Sequence, residues 1–459
     1  MHKLLFITLL LSFYSTFINA QGHYDKCYFG TAGVDFGDGY PSVLLNSQMI
    51  AVETAVSVCS ENGTLLFYSN GGNSPLAPSS YGAIWNANHQ VMENGLLGET
   101  SGCVSSFQGG VAFPANVGNS KSFSNSKYFI FMRDCVESSV TSESYNTGLT
   151  YCEIDMSANN GLGKVINVNT AVPFDPGYGL STNLEPVAAI LKGTDDGWYV
   201  FSYNLDSLYS IEVNSNGVGG YKSHVVGEMT IVFSPSRNHV VVGSKLYNYD
   251  ALNNELVFNM SLSETTYAFS PNGKLLYGLG SGKLYQYDLT SSNISTSKLL
   301  ISSTLFASSL YLAPDARIYV FNKEGLTLPG YIECPNTLGE NCGLTMAAVD
   351  LGGKQSGDVF TNIPANFLYY DGPDCNLSVK DNTAKTRNLE IYPNPSEGKI
   401  TIVMDELESP VPFNIFSLRG QVVFEGVLKS HEVTFDLCKI EKGIYFLEVN
   451  GVKKRLVLR

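Results

Sequence analysis

Between about residues 200 and 320, apolar and polar side chains alternate in short runs broken by Gly, Asn, Ser and Pro. A period of two puts alternate residues on opposite faces of a strand, whereas a helix repeats its apolar positions every three to four residues. In "KLYQYDL" that period sets Tyr285, Tyr287 and Leu289 on one face and Leu284, Gln286 and Asp288 on the other. Just upstream, "FSPNGKLLYGLG" places a Pro-Asn-Gly turn, Pro271 to Gly273, between two such runs, and a Ser-Gly turn follows. The pattern predicts an antiparallel meander.

The meander recurs. "SLYSIE" from Ser207, "KLYNYD" from Lys245 and "KLYQYD" from Lys283 return every 38 residues. A second marker runs through "FSPSRNH" from Phe233, "FSPNGK" from Phe269 and "LAPDARIYV" from Leu312. Weaker copies are "GAIWN" from Gly82, "LTYCEID" from Leu149, "GYIEC" from Gly330 and "FLYYD" from Phe367, which makes seven candidate units. A repeat of this length is one blade of a propeller. Small sheets stacked radially cover each other's faces, so the expected fold is all-β, a β-propeller of about seven blades. The Gly- and Pro-bearing stretch "NTAVPFDPGYGLSTNLEP" from Asn169 reads as a loop at one end of the ring, where a binding surface is expected.

Past "FLYYDGPDCNLSV" the aromatic residues stop and "KDNTAKTRN", Lys380 to Asn388, is polar throughout. The chain is therefore read as a leader over 1–20, a propeller over 21–375, a linker over 376–388 and a final domain over 389–459. In that last part "KITIVM", "FNIFSLRG", "QVVFEG", "VTFDL", "GIYFLEVN" and "KKRLVLR" alternate between Gly-containing turns, which predicts a small β-sandwich. Pro393 and Pro395 fix the backbone at its entrance, Gly398 and Gly443 permit tight turns, and Ile400, Ile402 and Phe446 are expected in its core.

Length and composition agree with this division. At 459 residues the chain exceeds a single core, whose usual limit is about 250–300 residues. A formal charge of −14 speaks against holding a nucleic-acid backbone. The opening "MHKLLFITLLLSFYSTFINA" sets Lys3 before an apolar run and closes on Ala20, the form of a secretory signal peptide with cleavage between Ala20 and Gln21. No later segment is apolar enough to span a membrane as a helix. Of nine cysteines, eight precede the final domain, an even set that suggests disulfides after export.

The final domain carries "YPNP" at Tyr392, Pro393, Asn394 and Pro395, then Gly398, "SLRGQVV" around Gly420, "KGIYFLEV" with Gly443 and Tyr445, and "KKRLVLR" with Lys453 and Lys454. In this order these residues resemble the type A C-terminal sorting domain of proteins exported by the type IX secretion system of Gram-negative bacteria. The resemblance implies export through the periplasm, engagement of the secretion machinery by the tail, and attachment to surface lipopolysaccharide or release. The body, through "YFGTAGVDFGDGYP" from Tyr28, "ENGTLLFYSNGG" from Glu61, "IWNANHQVMENG" from Ile84, "LAPDARIYVFNKEG" from Leu312 and "NIPANF" from Asn362, resembles propeller-like surface proteins (WD40/YVTN-like) that carry the same tail.

Catalytic signals are weak. Asp195 and Asp196 beside Trp198 read as a β-turn, and Asp35 and Asp38 lack a full set of alternating calcium ligands because Gly37 takes a ligand position. His89 has no identifiable nucleophile, and Trp85 and Trp198 read as strand core. No catalytic, cofactor or metal residue is therefore assigned. The expected function is a secreted or surface-displayed, non-enzymatic protein that binds a protein or glycan, with adhesion or gliding as candidate roles. The alternative is a secreted glycan hydrolase or lyase whose carboxylates come from different blades. A passive scaffold is a third reading.

Overall fold

A computed structural model describes residues 20–37, 41–73, 82–98, 102–115, 127–135, 148–172, 185–204, 207–226, 230–305, 307–323, 325–346, 348–358, 360–369, 389–404, 411–417, 422–449 and 452–459. The chain divides into two compact units, Met1–Cys375 and Asn376–Arg459. Most of the expected leader and linker lie outside the described residues, as do 173–184 of the expected loop, Asp38 and Gly420.

The first unit is a β-propeller of seven antiparallel blades, counted among the described residues. Blade 1 has three strands, Lys26–Phe29, Ala32–Asp35 and Ser42–Val43. The inner strands of blades 2 to 7 are Val56–Cys59, Gly110–Pro114, Ala188–Leu191, Ile231–Phe233, Thr266–Phe269 and Ser309–Leu312. Each is followed by three more strands of its own blade, and each inner strand lies beside that of the next blade. The outer strands of blades 2 and 3 also meet at Lys164 and Glu93, which form an ion pair at 2.7 Å.

The repeats noted in the sequence are third strands. "GAIWN", "LTYCEID", "SLYSIE", "KLYNYD", "KLYQYD" and "GYIEC" supply the third strand of blades 2 to 7. "FLYYD" does not. Its start belongs to a 3-10 turn, Ala365–Leu368, and the seventh blade is instead the N-terminal blade 1.

Buried residues from consecutive blades form shared cores. Blades 4 and 5 share Phe201, Phe233 and Tyr249, blades 5 and 6 share Val241, Phe269 and Tyr287, and blades 6 and 7 share Tyr277, Leu310 and Val320. Ring closure comes from Phe29 against Phe321, with ring centroids 6.0 Å apart, and Phe36 against Tyr319 at 5.4 Å. Both tryptophans are core, as the sequence indicates: Trp85 stacks on Tyr68, and Trp198 is fully buried and donates to the Pro114 carbonyl at 2.9 Å.

The end of the body laces this ring shut without adding a strand to a blade. Thr31 donates from its backbone to the Gln355 carbonyl at 2.9 Å, and Asp358 donates to Val52 at 2.7 Å. Thr361 Oγ1 donates to Tyr28 at 2.8 Å. Asn362 donates through its backbone to Ala55 at 3.0 Å and through Nδ2 to Gly110 and Val187 at 2.8 and 2.7 Å, so one residue ties three blades. Gly30 permits this approach: at φ +56° a Cβ would sit 2.2 Å from the Gln355 carbonyl oxygen.

The cysteines depart from the expectation of a fully paired set. Cys103 and Cys135 are bonded, with Cα atoms 5.4 Å apart, and Cys334 is also disulfide-bonded. Cys27, Cys59, Cys152 and Cys342 remain buried thiols. Burial raises their pKa and keeps them protonated, so they serve as small apolar core residues.

The second unit is a two-sheet β-sandwich. Leu389–Tyr392, Lys399–Met404 and Glu432–Asp436 form one sheet, and Val411–Ser417 lies between Val422–Leu428 and Gly443–Val449 in the other, with Val452–Leu458 at its edge. Phe413 of one sheet meets Phe435 of the other at 4.7 Å over a core that includes Ile400, Ile402 and Leu447. Phe446 is not in that core but 40% exposed. Its neighbours Tyr445 and Leu447 take the inward positions, and the strand period then turns Phe446 outward.

Candidate functional site

The inner strands of the propeller enclose a cavity of about 300 Å³, at the small end of the range for ligand sites. Ile231, Phe233, Phe269 and Leu310 of those strands line it together with Phe360 and Leu368 of the closing segment. The residues just before the inner strands are polar: Glu53, Gln108, Thr230, Thr265 and Ser308. The closing segment thus does two things at once, locking the ring and shaping its central space.

At that polar end Glu53 lines the cavity, while Asp358, which acts on its carboxyl, lies outside the lining. Glu53 lies within hydrogen-bonding reach of Asp358. Asp358 is 8% exposed; its Oδ2 pairs with Lys323, and its Oδ1 is buried without a donor among the described residues. Glu185 stands near and accepts from the Phe107 amide at 2.7 Å. Burial first, then the negative charges of Asp358 and Glu185, push the Glu53 carboxyl up to about 7, against the opposing pull of Lys323.

Between pH 4.5 and about 7 the unfolded chain ionises Glu53 while the folded chain keeps it protonated, so folding binds the extra proton. Its contribution to stability is present below pH 4.5 and is lost as pH rises through 7. His224, lowered to about 4 mainly by burial, acts in the opposite sense, losing stability as pH falls from 6.5 to 4. Glu53→Gln should therefore raise the thermal midpoint relative to wild type at pH 7.5 more than at pH 5, as read by calorimetry at both values. An equal shift at both would refute the assignment.

The residues considered from sequence lie elsewhere and are not brought together. Asp195 pairs with Arg237 at 2.6 Å and Asp196 with Lys192 at 3.3 Å around a surface turn. Asp35 pairs with Lys26 at 2.8 Å and accepts from the Gly37 amide at 3.0 Å. His89 sits in a hydrogen-bonded surface clasp with Tyr68 at 3.1 Å and Asn46 at 2.7 Å, and burial lowers its pKa. Among the described residues no group of three or more His, Cys, Asp or Glu is placed to hold a metal ion.

In the sandwich, Tyr392 donates to Glu432 at 2.7 Å, and the Asn394 side chain holds the last strand by donating to the Arg455 carbonyl at 2.6 Å and accepting from the Val457 amide at 2.9 Å. The Tyr392–Pro393 and Asn394–Pro395 peptides are both cis. Gly398 adopts φ +125°, where a Cβ would meet Cys438 Sγ at 2.5 Å. Tyr445 is buried and donates to the Glu441 carbonyl at 2.6 Å, while Lys454 is exposed beside Lys453 on the edge strand.

Residues 390–459 match the family of secretion system C-terminal sorting domains. The tail is a sorting domain. It marks the chain as a substrate of the type IX secretion system, exported to the cell surface or released, and implies contact between the sorting domain and the secretion machinery. No helix among the described residues is long and apolar enough to cross a membrane. No curated protein matches the chain.

Solved structures similar to it are distant. A candidate 6-phosphogluconolactonase from Bacteroides fragilis is 11% identical, with TM-score 0.46 over 74% of this chain and 99% of that one. The Cps50 (Swd1) β-propeller domain of Myceliophthora thermophila is 10% identical, with TM-score 0.37 over 65% and 93%. PorZ, a surface component of the type IX secretion system of Porphyromonas gingivalis, is 11% identical, with TM-score 0.23 over 95% and 75%. The propeller architecture rests on the blades of the chain itself.

Proposed function

We propose that the exported body is a non-enzymatic binding protein that receives its ligand at the polar end of the central cavity, with adhesion or gliding as the setting. The observation that carries this reading is the spacing of the two carboxyl groups. Glu53 and Asp358 are within hydrogen-bonding reach, whereas two-carboxylate glycoside hydrolysis needs groups about 5–9.5 Å apart with room for water or sugar between them. Lys323 further occupies one oxygen of Asp358. A rigid ring presenting a small, partly apolar recess suits capture of a protruding ligand group.

One observation favours a second reading, a glycan-processing enzyme: a carboxyl raised to about 7 is suited to general acid work. A glycan and protein array probed with the purified chain, followed by assay of the bound glycans for released sugars, separates the two. Retention without cleavage is expected. Release of sugar that Glu53→Gln abolishes would establish the second reading.

A further inference from the structure

The inner strands of blades 4 to 7 stand first in their sheets, so each has one edge that no strand of its own blade pairs. Such an edge carries a row of N–H and C=O groups that need partners once buried. Around much of the ring the protein answers with amides. Asn362 donates to the Ala55, Gly110 and Val187 carbonyls at the heads of blades 2, 3 and 4. Asn366 Oδ1 accepts from the Leu191 amide of blade 4 at 3.3 Å, and Gln108 Nε2 donates to the Ile231 carbonyl of blade 5 at 2.8 Å. Blades 6 and 7 differ. Among the described residues no strand pairs with the inner edge of Thr266–Phe269 or Ser309–Leu312, and no Asn or Gln side chain bonds Thr266, Ala268, Phe269 or any residue of Ser309–Leu312.

Those two edges face the cavity. Side chains alternate between the faces of a strand, so a strand turning one face to a space lines it at every second residue. Residues 265–269 and 308–312 line the cavity without a gap, which places the strands edge-on, backbone toward the space. Their side chains lead away on either side. Ala268 and Leu310 enter the core shared by blades 6 and 7, and Tyr267 and Phe269 enter the core shared by blades 5 and 6. Opposite stand Ile363, Ala365 and Leu368 of the closing segment. Among the described residues no Lys, Arg or His lines the cavity and Glu53 is its one carboxyl, so an anion meets no counter-charge there. The space suits a neutral group with one N–H, one C=O and a small apolar end.

We propose that the cavity takes the acetamido group of an N-acetylated sugar, its N–H and C=O bonded to the inner edges of blades 6 and 7 and its methyl against Ile363 and Leu368. The proposal rests on the binding reading above and names the ligand class of the same site. A secondary amide supplies the donor and acceptor that a strand edge asks for, as the chain's own amides do at the other blades. The sugar ring then lies at the polar end, where Gln108 Oε1 and the Thr230 hydroxyl have no partner among the described residues and suit its hydroxyls. An extended peptide carries the same amide, but its leading end must bring a charged terminus past the polar end into the apolar lining. An acetamido group enters methyl first without that cost.

The test is isothermal titration and saturation-transfer NMR of the full-length secreted chain with N-acetylglucosamine, glucosamine, glucose and N-acetylalanine N-methylamide. N-acetylglucosamine should bind at least tenfold tighter than glucosamine or glucose, and its acetyl methyl should receive more saturation than its ring protons. Thr230→Phe and Ala365→Phe narrow the cavity from different walls, and each should weaken binding at least tenfold with the thermal midpoint showing that it is folded. Thr230→Val keeps the shape and removes only a hydroxyl, so it should weaken binding less than either and leave the methyl signal in place. Equal binding of N-acetylglucosamine and glucose, stronger saturation of the ring than of the methyl, unchanged affinity in both Phe variants, or no binding of the acetamido sugar would overturn the proposal. Tighter binding of the alanine amide than of the sugar would overturn the glycan source in favour of a peptide. A glycan without acetamido groups captured on the array would overturn the acetamido assignment alone, whereas cleavage of a bound glycan would overturn the binding reading.

Discussion

Phe367→Ala should destabilise the body by about 3–5 kcal/mol, the range for emptying a buried aromatic site. Phe367 is 3% exposed, and its ring lies 4.9 Å from Tyr24 and 5.7 Å from Trp198. It thereby fastens the end of the body to both its beginning and blade 4. Sequence-local contacts cannot replace that bond, because the closing segment pairs with residues more than three hundred positions upstream: Thr361 with Tyr28, and Gln355 with Thr31. Asn362→Ala should cost less, about 1–3 kcal/mol for leaving the Gly110 and Val187 carbonyls without their donor. Urea denaturation of both variants measures this. A change below about 0.5 kcal/mol, the scale of an ordinary surface substitution, at Phe367 would mean that this ring does not fasten the end of the body.

The blades were legible where the chain repeats itself. "KLYNYD" and "KLYQYD" are matching third strands because each must present similar side chains to equivalent neighbours, and the turn residues of "FSPSRNH" and "FSPNGK" mark the hairpins before them. Blade 1 was not legible, since its three short strands lack the aromatic repeat, and "FLYYD" imitated the repeat while serving to close the ring. The carboxyl pair left no local signal. Glu53 precedes blade 2 and Asp358 follows blade 7, so only ring closure brings them together. The fate of the cysteines was hidden as well: an even count permits pairing, but Cys27 and Cys59, from neighbouring blades and buried in one shared core, remain thiols. In the sandwich the period was legible and its phase was not, which is why Phe446 faces outward.

Removal of residues 389–459 should abolish surface display while leaving the propeller folded. The body is a compact unit ending at Cys375, with its interblade cores and closing segment complete before the tail begins. The sorting domain has a separate core, from Ile400 to Leu458, and matches its family over 390–459. Loss of the address should therefore not cost the fold: the far-ultraviolet signature of β-structure and the pH response attributed to Glu53 should persist in the truncated chain. The most direct measurement is protease shaving of intact cells expressing either the whole chain or the form ending at Asn388, with periplasmic extracts taken in parallel. The account predicts that the body of the whole chain is cleaved at the surface or found in the medium, and that the truncated body is protected and recovered, folded, from the periplasm. A truncated body that reaches the surface at the wild-type level would contradict it.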